Sequence, residues 1–319
     1  MKALGEDGAA QVSGRIAVLW HARQNPDRLT EYAIGHMVDV WREDGHEVIH
    51  LFGTRRFVPA DVLLVHVDLS VVPRRYMTFA RRYPVALNTH VRDIRKGRYS
   101  ELQLRHGDDY DGPVIVKTQR NHAGRPEQKL RPFDWLRNEA TPLQRRRARQ
   151  RVRAPLPYRI FDRLSDVPLR YFVDQRWLVE RFLPQCENGR YHMNHLYVFG
   201  GRYTSLRMSL DEPVVTGQLT DVEISEPHPR AYALLEQMCL DYGKVDYVVH
   251  DGQAYLLDVN KTIGAYSTPK SPELEAARRH RAPGIYDFFD GVNPRTPLSP
   301  QADTSAAPVR VQPAFEGDA

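Results

Sequence analysis

Apolar runs alternate with amphipathic stretches over the first third of the chain. The runs RIAVLW, HEVIHLF, DVLLVHVD and PVALN lie between residues 15 and 88, and helical patterns begin near Leu29 and Pro73 between them. Strands that are apolar at nearly every position are buried on both faces, which is typical of a parallel sheet covered by helices. The pattern therefore predicts a Rossmann-like α/β domain over residues 15–88. No GxGxxG follows its first strand, so no dinucleotide site is expected there.

The second half of the chain alternates apolar and polar positions around two glycine turns. Gly200-Gly201 separates HLYVF from RYTSLRM, and Asp251-Gly252 separates VDYVV from QAYLLDVN. Tight glycine turns between alternating runs predict antiparallel hairpins. Further strands are predicted at VIVKT and RWLVERFL. A helix is predicted at PRAYALLEQMCLDYG, and a polar helical stretch at VRDIRKGRYSELQLRHG, residues 91–107.

Three segments lack the clear hydrophobic periodicity of a helix or a strand. Residues 1–14 are polar and contain no apolar core of a secretion signal, so we expect a disordered lead. Residues 291–319 are rich in Pro, Ser, Ala and Gly and predict a disordered tail. The region near 125–170 contains QRRRARQRVR and shows helical propensity interrupted by prolines. We interpret this region as an Arg-rich insertion.

Composition narrows the class of protein. The 319 residues are 41% hydrophobic and 27% charged, as in an ordinary globular protein, and no apolar run approaches the roughly 18 residues of a membrane span. Cys186 and Cys239 lack metal-ligand spacing, which favours free thiols in a reducing compartment and hence the cytoplasm. The net charge of +5 and pI near 9.1 favour acidic partners such as phosphates or carboxylates.

The second hairpin, within KVDYVVHDGQAYLLDVNKTIG, carries candidate metal ligands. Asp258 and Asn260 are two residues apart on one predicted strand and therefore point to the same face, while Asp246 lies on the partner strand. Carboxylate and amide oxygens suit Mg²⁺, which completes its octahedron with water or phosphate oxygens. The alternative is that these acidic residues are merely solvated at the end of a hairpin.

Several motifs in chain order resemble the ATP-grasp superfamily. Lys96 in RDIRKGRYSELQL, Lys117 in GPVIVKT, Glu180 in WLVERFLP and Glu187 precede the acidic hairpin. The resemblance is to the carboxylate–amine/thiol ligase type, similar to D-alanine–D-alanine ligases and to the glutamate ligases that modify ribosomal protein S6. It implies a Rossmann-like pre-ATP-grasp domain followed by an α+β ATP-grasp domain at 89–290, with subdomains at 89–178 and 179–290.

The same resemblance implies roles for individual residues. ATP would be held by Lys96, Lys117, Gln119, Gly124, Glu180, Phe182, Leu183 and Glu187. Mg²⁺, or Mn²⁺ in its place, would be bound by Asp246, Asp258 and Asn260. Arg207 and Lys244 would face the reacting phosphate, and Lys261 would contact the acceptor substrate or point to solvent. The loop QRNHAGRPE departs from the family because Gly124 is its only glycine, so Gln119, Asn121 and His122 are expected to add donors over the phosphates.

The resemblance implies an ATP- and Mg²⁺-dependent ligase that activates a carboxylate as an acyl-phosphate for attack by an amine. An amino acid, a peptide or a small metabolite is the expected substrate. A kinase of the same fold that phosphorylates a hydroxyl is one alternative. A nucleic-acid-binding module based on the arginines at 145–153 is another. GxSxG, HExxH and Walker A motifs are absent from the sequence, which disfavours hydrolases and P-loop enzymes.

Two further expectations concern partners. The Arg-rich insertion is hypothesised to form a lid or a docking surface for an acidic peptide or carrier protein. A homodimer is expected, since two-fold dimers are the commonest symmetric arrangement.

Overall fold

The computed structural model describes residues 14–130, 158–214, 221–265 and 272–289. The predicted tail, all but one residue of the predicted lead, and residues 131–157 of the Arg-rich insertion lie outside the described residues. The hypothesis that the arginines of this insertion form a docking surface falls on that part of the chain and stays a prediction.

A four-stranded parallel sheet follows the apolar runs of the first third. Its strands are arranged in the order β2-β1-β3-β4, and their bounds are β1 Arg15–Trp20, β2 Glu47–Phe52, β3 Val62–Val65 and β4 Val85–Leu87. Helix α1 (Ala33–Glu43) packs on one face of the sheet and α2 (Arg74–Ala80) on the other. The parallel α/β arrangement predicted for residues 15–88 is confirmed, and its existence as a separate domain stays a prediction.

The first predicted helix is interrupted at Tyr32. A 3-10 helix occupies Pro26–Glu31, and Tyr32 then adopts an extended conformation before α1 begins. Tyr32 forms an isolated bridge with Gly264, which lies far away in the sequence. Tertiary pairing therefore overrides local helical propensity at this position.

A small antiparallel sheet carries the predicted strand lysine. Its order is β6-β5-β7, with bounds β5 Val114–Thr118, β6 Arg159–Phe161 and β7 Trp177–Arg181. One face packs on a cluster formed with the short helix α4 (Arg170–Val173), while a short helix α3 (Arg125–Leu130) follows the loop after β5. The other face carries Lys117 and Glu180, because side chains alternate along each strand.

A larger antiparallel sheet contains both predicted hairpins. Its order is β11-β10-β9-β12-β13, and β8 pairs with β9. The bounds are β8 Gln185–Glu187, β9 Arg190–Phe199, β10 Arg202–Leu210, β11 Asp221–Ser225, β12 Tyr242–His250 and β13 Gln253–Asn260. The turns fall at Gly200-Gly201 and Asp251-Gly252, so both hairpin predictions are confirmed. Helix α5 (Pro229–Gln237) covers one face.

The other face of the large sheet packs against the parallel sheet and the C-terminal helices. Helix α6 (Pro272–Arg281) and a 3-10 helix (Ala282–Phe288) lie at this junction. Trp41 of α1 stacks edge-on against Phe199 and donates its indole N–H to the Ala282 carbonyl at 2.8 Å. Gly200 is required here, because a Cβ at this position would lie 2.2 Å from the carbonyl oxygen of Gly284.

Two helix predictions are wrong in extent. Residues 91–107 form only a 3-10 turn at Lys96–Arg98, since their backbone pairs with neighbouring segments through bridges at Asp93 and Gln103. The helix predicted from Pro229 to Gly243 ends at Gln237, and Tyr242 and Gly243 begin β12. In both cases non-local strand pairing satisfies the backbone that a longer helix would have used.

Cys186 and Cys239 are not joined in a disulfide, as predicted. Within the described parts of the chain, no helix has both the length and the apolar character needed to cross a membrane.

Candidate functional site

The acidic hairpin brings two carboxylates directly opposite each other. Asp246 of β12 pairs in register with Asp258 of β13, and Lys244 pairs with Asn260. Directly opposed residues of an antiparallel pair share a face, so all four positions lie on the face of the large sheet that is opposite α5. His195 and Tyr197 of β9 lie on this same face, because they pair with Asp246 and Lys244. We call it the acidic face.

A β-bulge beside this pair links the two antiparallel sheets. The register shifts after Asp246, so that Tyr247 pairs with Leu256 and Leu257 has no partner across the ladder. The carbonyl oxygen of Leu257 instead accepts a hydrogen bond from Lys117 Nζ of the small sheet at 3.2 Å. The predicted strand lysine is thereby held against the acidic hairpin.

Lys117 also pairs with Glu180, and both side chains are almost completely buried. They share one face of the small sheet, because Ile115 pairs with Glu180 and Lys117 lies two residues further along β5. Glu180 is only 1% exposed, and its Oε1 has no hydrogen-bond partner within the described ranges. A buried carboxylate oxygen without a donor is costly, so this oxygen is a candidate ligand-binding group.

Lys96 approaches the hairpin from the opposite direction. Its Nζ lies 3.2 Å from Asp258 Oδ1 and donates to Asn121 Oδ1 at 3.1 Å. The amide nitrogen of Asn121 donates in turn to the Val259 carbonyl at 2.7 Å. Lysines from two separate segments therefore meet the acidic hairpin within a few ångströms.

Lys244 lies beside Asp246 on the same strand. Its Nζ is 2.8 Å from Asp246 Oδ1 and 3.4 Å from His195 Nε2. Burial alone lowers the pKa of Lys244, but the Asp246 carboxylate outweighs it and raises the pKa above the usual value. Burial, together with the charge of Lys244, holds the pKa of His195 well below its usual value. Lys244 is therefore a cation, and His195 is a neutral imidazole beside it.

Asn260 is oriented by a contact with the parallel sheet that the sequence did not reveal. Its Oδ1 accepts from the backbone N–H of Thr262 at 2.9 Å. The Thr262 hydroxyl donates to Asp68 Oδ1 at 2.9 Å, and Tyr32 donates to Asp68 Oδ2 at 2.9 Å. Burial raises the pKa of Asp68. The only sequence signal for this residue is an aspartate at the carboxyl end of a parallel strand.

Lys261 does not point to solvent, so that alternative is wrong. Its side chain is fully buried, and Nζ donates to the carbonyl oxygens of Val91 and Arg92 at 3.3 and 3.4 Å. Burial lowers the pKa of Lys261 to about 7. The residue fastens the segment before Lys96 to the end of the acidic hairpin.

Some of the other residues that were predicted to hold ATP are already hydrogen-bonded within the fold. The Gln119 carboxamide accepts from the Gly97 N–H at 3.0 Å, and the backbone N–H of Phe182 donates to the Pro113 carbonyl at 2.8 Å. Leu183 is half-buried, and Gly124 is buried with φ +73° at the end of the loop after β5. The Phe182 N–H is thus engaged within the fold, and the role of Phe182 and Leu183 in holding ATP stays a prediction.

Arg207 and Glu187 are not brought to the acidic face. Arg207 pairs in register with Asn194, whose side chain points away from the face of its neighbour His195. Arg207 instead forms an ion pair with Glu187, and the Glu187 carboxylate also accepts from Gln185 at 2.8 Å. Hydrogen bonds from Gln185 and Arg207 lower the pKa of Glu187. The structure contradicts the placement of Arg207 at the reacting phosphate, because strand alternation turns it to the other face.

Tyr158, which the sequence did not single out, lies close to the acidic groups. Burial raises the pKa of its hydroxyl, and the charges of Asp258, Asp246 and Glu180 raise it further. A tyrosine influenced by carboxylates of both antiparallel sheets lies in the cleft between them.

The donor set fits a hard cation with phosphate groups. Asp246, Asp258 and Asn260 offer oxygen ligands on one face, and Lys96 and Lys117 supply positive charge at its edge. No group of three His, Cys, Asp or Glu side chains with metal-binding geometry occurs in the described residues.

Comparisons with known proteins give only remote structural similarities. No protein-family model matches the sequence, and no curated protein matches it. The structure is similar to D-alanine–D-alanine ligase from Bacillus anthracis complexed with ATP, with 13% identity, a TM-score of 0.49, and coverage of 88% of this chain and 97% of that chain. It is also similar to a RimK domain ATP-grasp protein from Sphaerobacter thermophilus DSM 20745, with 13% identity, a TM-score of 0.46, and coverage of 86% and 99%. These similarities are remote, and the proposal below rests on the contacts already described.

Proposed function

We propose that the chain is an ATP-grasp ligase that uses ATP and Mg²⁺ to activate a carboxylate as an acyl-phosphate for attack by an amine. One observation carries the proposal. Lys96 and Lys117, from different segments, both reach the hairpin on which Asp246 and Asp258 face each other. Phosphoryl transfer depends on such positioning and charge neutralisation and needs no nucleophile of the protein.

Each residue of the site has a role in this proposal. Lys117 and Lys96 bind phosphate oxygens, and each would exchange its present carboxylate partner for phosphate. Glu180 offers its unpartnered oxygen to a donor of the nucleotide. Asp246, Asp258 and Asn260 would hold Mg²⁺. The bound cation would neutralise the charge of the phosphate groups.

Lys244 is the proposed stabiliser of the developing negative charge. It lies beside Asp246, and its raised pKa keeps it protonated at neutral pH. A fixed cation at the reacting phosphate lowers the barrier because it needs no reorganisation during the reaction. Asp68 and Thr262 position Asn260 and touch no reacting atom in this scheme.

The substrate classes that we propose are an amino acid, a peptide or another small-metabolite carboxylate, joined to an amine. The test is an ADP-release screen over pooled carboxylates and amines, followed by mass spectrometry of the product. Product equal to both substrates less one water, with stoichiometric free phosphate, is expected of the ligase. A product that gains one phosphate group, with no free phosphate, would instead establish a kinase. Absence of Mg²⁺-dependent ATP binding would overturn the proposal altogether.

A further inference from the structure

Arg281, the last residue of α6, is buried without an anionic partner. Its side chain is 4% exposed, and its guanidinium carbon lies 5.0 Å from the ring centroid of Tyr197. Within residues 14–130, 158–214, 221–265 and 272–289, this guanidinium forms no ion pair with a carboxylate and donates no hydrogen bond. Burial lowers the pKa of Arg281 to about 10, which still leaves it charged at neutral pH.

The other arginines of α6 are paired. Arg278 lies 3.0 Å from Glu275 and donates to the Ala265 carbonyl at 3.1 Å, and Arg279 lies 2.5 Å from Glu43. Burying a charge is unfavourable unless an opposite charge or several hydrogen bonds compensate it. The cation–π contact with Tyr197 supplies only part of that compensation. Arg281 therefore has unused donors in a place from which bulk water is largely excluded.

A small cavity opens beside this guanidinium. It has a volume of about 20 Å³, and the polar side chains that line it among the described residues are Arg281, Arg278, Tyr197 and Thr204. About 10–15 Å³ is enough for one water-sized occupant, so the cavity has room for one small species. Tyr242 lies close enough for the charge of Arg281 to lower its pKa against the effect of burial, and its buried hydroxyl has no described partner. The described lining residues thus offer donors and positive charge, and none of them is a carboxylate.

We propose that this cavity is a binding site for one small monovalent anion, held by Arg281 with the Thr204 hydroxyl as a further donor, next to the paired Arg278. The chemistry suits a halide or the head of a small carboxylate. Tyr197 connects the site to the candidate active site, because Lys244 Nζ lies 5.8 Å from the centroid of the same ring. Only the ring of Tyr197 therefore lies between the anion site and Lys244, the lysine that we propose faces the reacting phosphate.

Thermal unfolding in two sodium salts of equal ionic strength tests the site. Chloride fits the cavity, whereas gluconate carries the same charge but is too large to enter it. In the full chain without ATP, chloride at about 100 times its Kd is expected to raise Tm by about 5 °C relative to gluconate. Coincident Tm values in the two salts would overturn the proposal.

Substitutions assign the effect to Arg281. Arg281→Met removes the charge and should abolish the difference between chloride and gluconate, while the matched change Arg279→Met on the same helix should preserve it. If Arg281→Met fails to fold, Thr204→Val provides the test, and its chloride Kd should rise at least threefold. An unchanged chloride effect in either cavity variant would contradict the site. Crystals soaked in bromide should show anomalous scattering within hydrogen-bond distance of Arg281.

A second measurement identifies the source of the anion. If the occupant is the carboxylate of a substrate, formate and chloride should raise the KM for that substrate and leave the KM for ATP unchanged. If the occupant is a free ion, both KM values should stay constant while chloride still raises Tm. Each result supports the anion site and names its source. The unfolding test needs no catalysis, so it stands even if the proposed ligase activity is not found.

Discussion

The cleft between the two antiparallel sheets and the α5 face of the large sheet use the same kinds of charged residue in opposite ways. In the cleft, Lys117 pairs with a glutamate that is 1% exposed. On the α5 face, Arg207 pairs with Glu187, whose side chain is 48% exposed. Exposed pairs contribute little to stability, whereas buried charges need desolvation that their mutual attraction only partly repays. Several buried pairs in one cleft therefore indicate binding or catalysis, and the exposed pair on the α5 face does not.

The largest effect is expected from a substitution in the acidic hairpin, which lies in the cleft. Asp258→Asn removes one of two opposed carboxylates and should lower Mg²⁺-dependent ADP release at least 100-fold, because the cation loses a charged ligand. Steady-state ADP release checks this. Asp251→Asn, at the exposed turn of the same hairpin, is the matched control and should retain full turnover. Normal turnover in Asp258→Asn would sink the metal-site assignment.

A substitution of Lys117 tests nucleotide binding independently of metal binding. Lys117→Met should weaken ATP binding about 10- to 100-fold, since a charge-assisted contact to phosphate contributes roughly 1.5–3 kcal/mol. Calorimetric titration of ATP measures the change. Lys129→Met makes the same charge change at an exposed position and should bind ATP normally. Equal affinity in the two variants would show that Lys117 has only a structural role.

Asp68 tests whether the parallel sheet positions a metal ligand. Asp68→Asn replaces one of two accepting oxygens by a donor, so either the Tyr32 or the Thr262 hydroxyl loses its acceptor. Partners that orient metal ligands typically affect metal affinity about 10- to 100-fold, and we expect the Mg²⁺ concentration at half-maximal turnover to rise about 10-fold. The ATP affinity without Mg²⁺ should stay the same. An unchanged Mg²⁺ dependence would confine Asp68 to a structural role.

His66 extends the comparison to a buried group that has no charge partner. It is fully buried at the end of the parallel sheet, neither ring nitrogen has a described hydrogen-bond partner, and burial lowers its pKa to about 3. The folded pKa lies below the unfolded value near 6.5, so the stability linked to neutral His66 is complete above about pH 6.5. That contribution is lost as pH falls toward 3, and it amounts to a few kcal/mol.

Denaturant unfolding of wild type and His66→Leu between pH 7 and pH 4 measures this effect. The variant should show a flatter decline of unfolding free energy with falling pH. His36→Leu, at an exposed position of α1, should follow the wild-type curve. Parallel curves for wild type and His66→Leu would mean that His66 does not titrate on unfolding in this range.

The smallest effect is expected at the exposed ion pair on the α5 face. Arg207→Ala should change ATP affinity and turnover less than threefold, and stability by no more than about 1 kcal/mol, because its ion pair with Glu187 is exposed. Calorimetry measures the ATP affinity, ADP release measures the turnover, and denaturant unfolding measures the stability. A loss of turnover greater than tenfold would return Arg207 to the catalytic site and remove the contrast between the cleft and the α5 face.

The sequence by itself determined the local elements and several chemical groups of the site. Uniform apolar runs predicted the parallel strands, because only strands buried on both faces have this pattern. The turns at Gly200-Gly201 and Asp251-Gly252 predicted the hairpins, and strand alternation predicted that Asp258 and Asn260 share a face. Each of these depends on interactions between residues that are close in sequence.

Only the tertiary structure decided which charges meet. A bulge frees the Leu257 carbonyl for Lys117, strand register turns Arg207 away from the acidic face, and Asp68 reaches Asn260 through Thr262 from a different sheet. Register and bulges depend on pairing between distant strands, which the residue types of one strand do not specify. The burial of Arg281 without an anion is also visible only where α6 packs on Tyr197, because desolvation depends on all the atoms around a charge.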